Sequence, residues 1–189
     1  MKAIRTEYNG ILFRSKLEAE WAKFFDSFKI PWIYEAEGFE FRDGTRYLPD
    51  FYLPDAHQWF EVKGIMNNID LHKIEMLGTE SKKDVIVGYP DGDAQMLDVG
   101  WFDGSNDTIE WDNPFLNFCS ECGKYSFMTW WGSYECRCCG AYDGDHLVNC
   151  QWEVDKWSDV DKIEWRKRSK IDVKKNTHNQ NFSNVTDWF

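Results

Sequence analysis

Residues 47–64, YLPDFYLPDAHQWFEVKG, decide how the chain is read. Most of the stretch is apolar and breaks into two short strands around a turn, yet Asp50, Glu61 and Lys63 interrupt it. With residues 54–58 as the hairpin loop, Asp50 falls beside Glu61 and Val62 across the ladder, with Cβ atoms about 5 Å apart. Strand parity places Glu61 and Lys63 on one face and Phe60 and Val62 on the other. Two carboxylates this close repel each other and favour a cation between them. Their hard oxygen donors suit Mg²⁺ or Mn²⁺ better than zinc. Lys63 is then placed to hold a phosphate oxygen or to orient a water. Asp55, the other acid that follows a proline, belongs to the loop. Asp50 is preferred because it is expected near the middle of a strand.

The elements around this hairpin can be read outward from it. Upstream, FRSKLEAEWAKFFDSFK is a helix: Leu17, Trp21, Phe24 and Phe28 recur on one face. Ser15 with Glu18 three residues later makes a capping-box pattern, and Pro31 marks the end. PWIYEAEGFEF is expected as a strand, with a turn at Gly44. Downstream, NIDLHKIEMLGTESKK is a helix, DVIVGYP a short buried strand and AQMLDVGWF an edge strand. SNDTIEWDNP is expected to be a polar linker. A helix, a meander, a helix and a strand make an α/β unit with a mixed sheet.

Composition sets further bounds. Eleven Trp, fourteen Phe and eight Tyr in 189 residues supply enough apolar surface for a real core. No apolar run reaches membrane-spanning length, and the first residues lack a signal peptide's apolar stretch, so a soluble, cytoplasmic protein without a membrane partner is expected. The net charge is −11, but residues 91–150 hold eleven acids against two basic residues, so the remainder is close to neutral. That distribution disfavours nonspecific wrapping of duplex DNA and leaves phosphate binding open elsewhere.

PD, ten residues, then EVK resembles the signature of the PD-(D/E)XK nuclease superfamily, whose fold is restriction-endonuclease-like. Over residues 8–90, YNGILFRSKLEAEWAKFFD, YEAEGF, YLPDFYLP and WFEVKG are together similar to its small phage-type members. The resemblance implies an α/β core, a mixed β-sheet flanked by helices, and Mg²⁺-dependent endonucleolytic hydrolysis of DNA phosphodiesters. It implies Asp50, Glu61 and a first-helix glutamate as metal ligands, joined by the Val62 carbonyl, with Lys63 as the water-orienting residue. Glu18 matches that glutamate in SKLEA and lies nearer the buried face than Glu20, although it could instead only cap its helix. Arg14, Ser15, Lys16 and Tyr8 precede or open the helix and are candidates for phosphate contact. His72 and Lys73 are candidates because the second helix faces the site in many relatives. A phage origin would place the protein in the host bacterial cytoplasm. A homodimer follows if both strands of a duplex are cut.

The six cysteines all lie between positions 119 and 150. Cys119-x2-Cys122 and Cys136-x2-Cys139 are each followed by glycine and separated by thirteen residues, the spacing of a tetrahedral Zn²⁺ site. The segment resembles a zinc ribbon; Cys138, Cys150 and His146 are the alternative ligands. Trp130, Trp131 and Tyr134 either stack on bases or pack on the main domain. The expected organisation is a nuclease domain over 1–104, a zinc ribbon over 105–150, and a charged helix and tail over 151–189. A second reading keeps the fold as a catalytically silent or partner-dependent scaffold that binds DNA or a host or phage protein through its acidic and ribbon regions.

Overall fold

A computed structural model describes residues 3–90, 92–99, 109–129, 135–141 and 150–151. The chain opens with a hairpin, β1 (Thr6–Tyr8) and β2 (Ile11–Phe13), which runs straight into α1 (Lys16–Phe28). Then come β3 (Ile33–Tyr34), β4 (Phe39–Glu40), β5 (Arg46–Tyr47), β6 (Phe51–Leu53) and β7 (Gln58–Val62). Next are α2 (Asn68–Ser81), β8 (Val85–Gly88), β9 (Ala94–Val99) and β10 (Ile109–Asp112). The last strands are β11 (Phe115–Cys119), β12 (Tyr125–Met128) and β13 (Cys150–Gln151).

The fold is α/β. Its main sheet has six strands in the order β10-β9-β8-β7-β6-β3. β7 and β8 are parallel, with α2 as their crossover, and the other pairings are antiparallel, so the sheet is mixed. One face is covered by α1, whose Trp21, Phe24 and Phe25 pack with Phe51, Phe60, Ile86 and Met96. On the other face Ile74 and Leu77 of α2 pack with Trp59, Val85, Val87 and Leu97. Because both faces are covered, β8 is buried at every residue and β7 at all but its last.

Gly88 shows how closely α1 is seated. A Cβ at this position would lie 2.4 Å from the Trp21 ring and 2.7 Å from Phe60. Only the absent side chain allows the indole down onto the sheet.

Several expectations change. Residues 109–112, read as part of a linker, form β10 on the edge of the main sheet. β9, read as an edge strand, therefore lies between β8 and β10. The stretch 31–41 is not one strand: the backbone turns at Glu35 (φ 47°), so β3 joins the main sheet while β4 pairs only with β5. Asp50 lies just before β6 rather than near the middle of a strand. The register Phe51↔Phe60 nonetheless brings it beside Glu61, as the hairpin-loop length requires. α1 stops at Lys29, which takes a left-handed conformation two residues before Pro31.

β11 and β12 do not stand apart from the sheet. Phe115, Leu116, Phe127 and Met128 belong to the same apolar cluster as α1. Buried Gln58 at the start of β7 uses its whole amide on Phe127, donating to the carbonyl (2.7 Å) and accepting from the N–H (3.1 Å). The charged tail from residue 152 onward, Trp130, Trp131, Tyr134 and His146 fall outside the described residues. Among the described residues no helix is long and apolar enough to cross a membrane.

Gly88→Ala is expected to destabilise the chain by about 1–3 kcal/mol through overpacking, read as a lower urea midpoint at unchanged slope.

Candidate functional site

At the C-terminal end of β7 the structure brings Asp50, Glu61, Lys63, Arg14 and Tyr47 together. Asp50 and Glu61 are 4% and 1% exposed. Each acid is fixed by the other's strand. The Asp50 N–H donates to Glu61 Oε1 at 3.1 Å, and the Val62 N–H donates to Asp50 Oδ2 at 2.8 Å. For Val62 it is thus the amide that contacts Asp50. Lys63 Nζ lies 2.9 Å from Glu61 Oε2, with its side chain largely buried.

Burial and the neighbouring Glu61 raise the Asp50 pKa well above the ordinary carboxylate range; Lys63 opposes the shift and Glu18 adds to it. Burial pulls the Lys63 pKa down, but Glu61 and Asp50 outweigh it, and Lys63 holds its proton more tightly than a free lysine. The pocket thus carries more negative charge than it balances well, which is the electrostatic setting for a bound cation.

Glu18 is 6% exposed and sits in the first turn of α1. Ser15 caps the helix by accepting the Glu18 N–H at 3.1 Å. The reciprocal half of a capping box is replaced by other contacts: Glu18 Oε2 accepts from Tyr34 Oη (2.6 Å) and from the Arg14 N–H (3.1 Å). Burial and the bond to Glu18 push the Tyr34 pKa up to about 12. The carboxylate is therefore held in the site region, and its charge is felt by Asp50. Glu20 instead faces outward and pairs with Lys16 at 3.4 Å.

The candidate phosphate contacts separate. Arg14 reaches inward, with Nη2 2.5 Å from Asp50 and Nε 3.0 Å from Glu35, and remains half exposed. Lys73 reaches the same region, its Nζ 5.8 Å from the Tyr47 ring centroid, with Lys63 Nζ at 6.0 Å from that ring. Lys16 is taken up by Glu20, Ser15 by the helix cap and His72 by Asp43, at 3.0 Å. Tyr8 donates to Asp26 at 2.7 Å. Asp55 pairs with Lys124 at 2.8 Å, away from the other acids. Sequence reasoning missed Tyr34, Glu35 and Tyr47. The signal for Tyr47 was its place at the head of YLPD, three residues before Asp50.

The cysteines form a second centre. The ligand atoms of Cys119, Cys122, Cys136 and Cys139 all lie within 4.8 Å of one another. Cys119 and Cys139 sulfurs are 3.9 Å apart, and those of Cys122 and Cys136 are 3.8 Å apart. Tetrahedral zinc with bonds of about 2.3 Å requires sulfurs about 3.8 Å apart. The two knuckles repeat one geometry: Gly123 N–H donates to the Cys119 carbonyl and Gly140 N–H to the Cys136 carbonyl, each at 2.8 Å. Both glycines have positive φ, 67° and 73°. Cys138 is not a ligand: its N–H donates to Cys136 Sγ and its thiol to the Tyr125 carbonyl. Among the described residues this is the group of acids, histidines and cysteines that converges so tightly; Glu18, Asp50 and Glu61 are spread more widely.

The second knuckle is clamped to the main sheet. Arg137, with its side chain 8% exposed, places Nε 3.2 Å from Asp84 and Nη2 3.9 Å from Asp98. Thr129 donates to Asp98 at 2.8 Å. Asp84 also accepts the Val99 N–H, and its own carbonyl accepts the Trp59 N–H of β7.

Two outcomes follow. Purified protein should hold one zinc per chain by elemental analysis, and a strong chelator should release it together with four thiols that react with a thiol reagent and a fall in Tm. Asp50→Asn should raise Tm of chelator-treated protein at pH 7–8. A carboxyl raised in the folded state binds protons there more readily than in the unfolded chain, so its ionisation costs stability as pH rises. The advantage of the asparagine should therefore shrink as pH falls toward about 4.

No family model matches the chain, and no curated protein sequence matches it.

Proposed function

We propose that the chain is a divalent-metal-dependent DNA endonuclease with a restriction-endonuclease-like core and a structural zinc site. The observation that carries the reading is the convergence of buried Asp50 and Glu61 with partly buried Lys63 at one end of adjacent strands. This is the arrangement that the likeness of PD…EVK to the PD-(D/E)XK superfamily leads one to expect.

The residues fit a hard cation. Their donors are carboxylate oxygens. Burial raises the Asp50 pKa, and the two acids lie close enough that Glu61 raises it further. Asp50 and Glu61 would hold Mg²⁺ or Mn²⁺, with Glu18 the third acid after release from Tyr34. Such a cation supplies Lewis-acid stabilisation of the charge that develops on the phosphate and lowers the pKa of a coordinated water.

The chain's own groups do the rest. Lys63, 2.9 Å from Glu61, acts as a hydrogen-bond donor that orients water or a phosphate oxygen. Arg14 and Lys73 bring two more cations to the mouth of the site, where they offset the backbone charge of a bound strand. A water oxygen bonds to phosphorus while an ester P–O bond breaks; the water's proton passes to solvent and the leaving oxygen takes one up.

Supercoiled plasmid incubated with Mg²⁺ or Mn²⁺ should be nicked or linearised, and a chelator should stop the reaction. Asp50→Asn and Lys63→Ala should each lower the rate by about a hundredfold or more with the folded signal retained. Wild-type rates in either variant would remove the assignment.

A further inference from the structure

We propose that Arg14 couples cation binding to phosphate binding: its guanidinium and a divalent cation exclude each other at Asp50, and the guanidinium so displaced takes an oxygen of the DNA backbone. The inference rests on the metal-site reading above and adds to it a side chain outside the PD…EVK pattern.

Each of the four carboxylate oxygens of the acidic pair has a donor. Glu61 Oε1 accepts the Asp50 N–H and Oε2 accepts Lys63. Asp50 Oδ2 accepts the Val62 N–H, and Oδ1 accepts Arg14 Nη2. Two of these donors are backbone amides, and the Lys63 side chain is only 18% exposed. Arg14 differs, at 48%. A half-exposed guanidinium trades its partner for water at little cost, so Oδ1 is the oxygen most open to exchange. Two positive groups on one carboxylate oxygen repel each other, so the cation and the guanidinium compete for it.

The exchange needs only a side chain to move. The Arg14 N–H is tied to Glu18 Oε2 at 3.1 Å and to Tyr34 Oη at 3.2 Å, which fixes the backbone. Arg14 Nε pairs with Glu35 at 3.0 Å, a second anchor that keeps the guanidinium beside the site once Nη2 leaves Asp50. Glu35 is itself held in place. Its φ of 47° is left-handed, uncommon for a residue with a side chain and most frequent at functional positions. Its N–H donates to the Asp50 carbonyl at 2.9 Å, so one backbone hydrogen bond sets the spacing of the two acids that share Arg14. A tethered guanidinium with a freed N–H edge suits a phosphate oxygen. Since the cation frees that edge, cation and DNA each strengthen the other's binding by the same factor.

The test is Arg14→Gln, which keeps a hydrogen-bonding side chain and removes the charge. Mn²⁺ titrated by calorimetry into the full zinc-loaded chain should bind roughly five- to tenfold more tightly than to wild type, the effect of one charged hydrogen bond no longer competing. A merely structural arginine would leave the affinity level or lower it, and either result overturns the proposal. If the variant has a lower Tm, the rise in Tm on adding Mn²⁺ still reads affinity and should exceed that of wild type. Lys73→Gln takes the same charge from the mouth of the site, where Lys73 stands against Tyr47, and should change Mn²⁺ affinity far less. An equal gain in both variants is general electrostatics and would sink the competition at Asp50. For the phosphate arm, the affinity of a labelled short duplex is read by anisotropy with and without Ca²⁺, another oxygen-seeking cation. Its gain on adding Ca²⁺ should be several-fold smaller in Arg14→Gln than in wild type; equal gains overturn the coupling. Asp50→Asn separates the two readings. Wild-type Mn²⁺ binding there would remove the metal site itself, whereas its loss with no gain in Arg14→Gln would remove only the role of the arginine.

Discussion

The constraint on which the structure turns is that β7 is covered on both faces. An interior strand with α1 on one side and α2 on the other has no water to offer its polar side chains, so each must find its partner in protein or ligand. β7 carries one polar group near each end. At its start Gln58 spends its amide on Phe127, tying β12 to the sheet. At its end Glu61 is matched by the Asp50 N–H and Lys63. The same rule, applied to the two ends of one five-residue strand, produces an attachment point at one and a chemically poised acid at the other.

The two ends differ in how well their charge is balanced. Around Arg137, two buried acids meet one buried guanidinium, with Thr129, Gln58 and backbone N–H groups completing the set. Around Glu61, the acids have Lys63 and Arg14, yet Arg14 is half exposed and shared with Glu35. Breaking a buried ion pair is costly because it leaves a bare charge behind, so the first arrangement resists rearrangement. The second has a solvent-facing partner that can be exchanged for another cation at little cost. Burial raises the carboxyl pKa at both places, with Glu61 adding to it at Asp50 and Arg137 opposing it at Asp84, so the difference lies in the exposure of the cationic partner.

Legibility in the sequence followed the range of the forces involved. Local signals were readable: α1 from the spacing of Trp21, Phe24 and Phe28 and the Ser15 cap, and the β6–β7 turn, expected over 54–58 and found over 54–57, that sets the Asp50–Glu61 register. The cysteine knuckles were equally plain, because Cys-x2-Cys-Gly encodes its own turn. Nonlocal pairing was not readable. Ile109–Asp112 reads as a linker because it lies in a polar stretch that ends in a proline, and only its antiparallel register with β9 makes it a strand. Tyr34 and Tyr47 read as ordinary strand aromatics; their hydroxyls gain meaning only where the chain brings them to Glu18 and Glu61. His72 and Lys73 were indistinguishable in sequence, and one helical step sends the first to Asp43 and the second to Tyr47.

The cysteine centre and the acidic site are separated along β7 but share its backbone. Arg137 lies between Cys136 and Cys139, so the turn that gathers these sulfurs also places the guanidinium. Asp84, its partner, receives the Trp59 N–H through its own carbonyl and leads into β8, which runs parallel to β7. Lys124 of the first knuckle grips Asp55 in the β6–β7 turn, the same turn whose length sets Asp50 opposite Glu61. Both knuckles thus hold the hairpin from its turn end while the acids occupy its open end. A small cysteine-knuckle module that would be marginal alone gains a core by lying on the α1 cluster, and the hairpin gains a fixed register in return. The acidic pair depends on that register, since a slip of one residue would turn Glu61 to the α1 face and bring Phe60 to the acids.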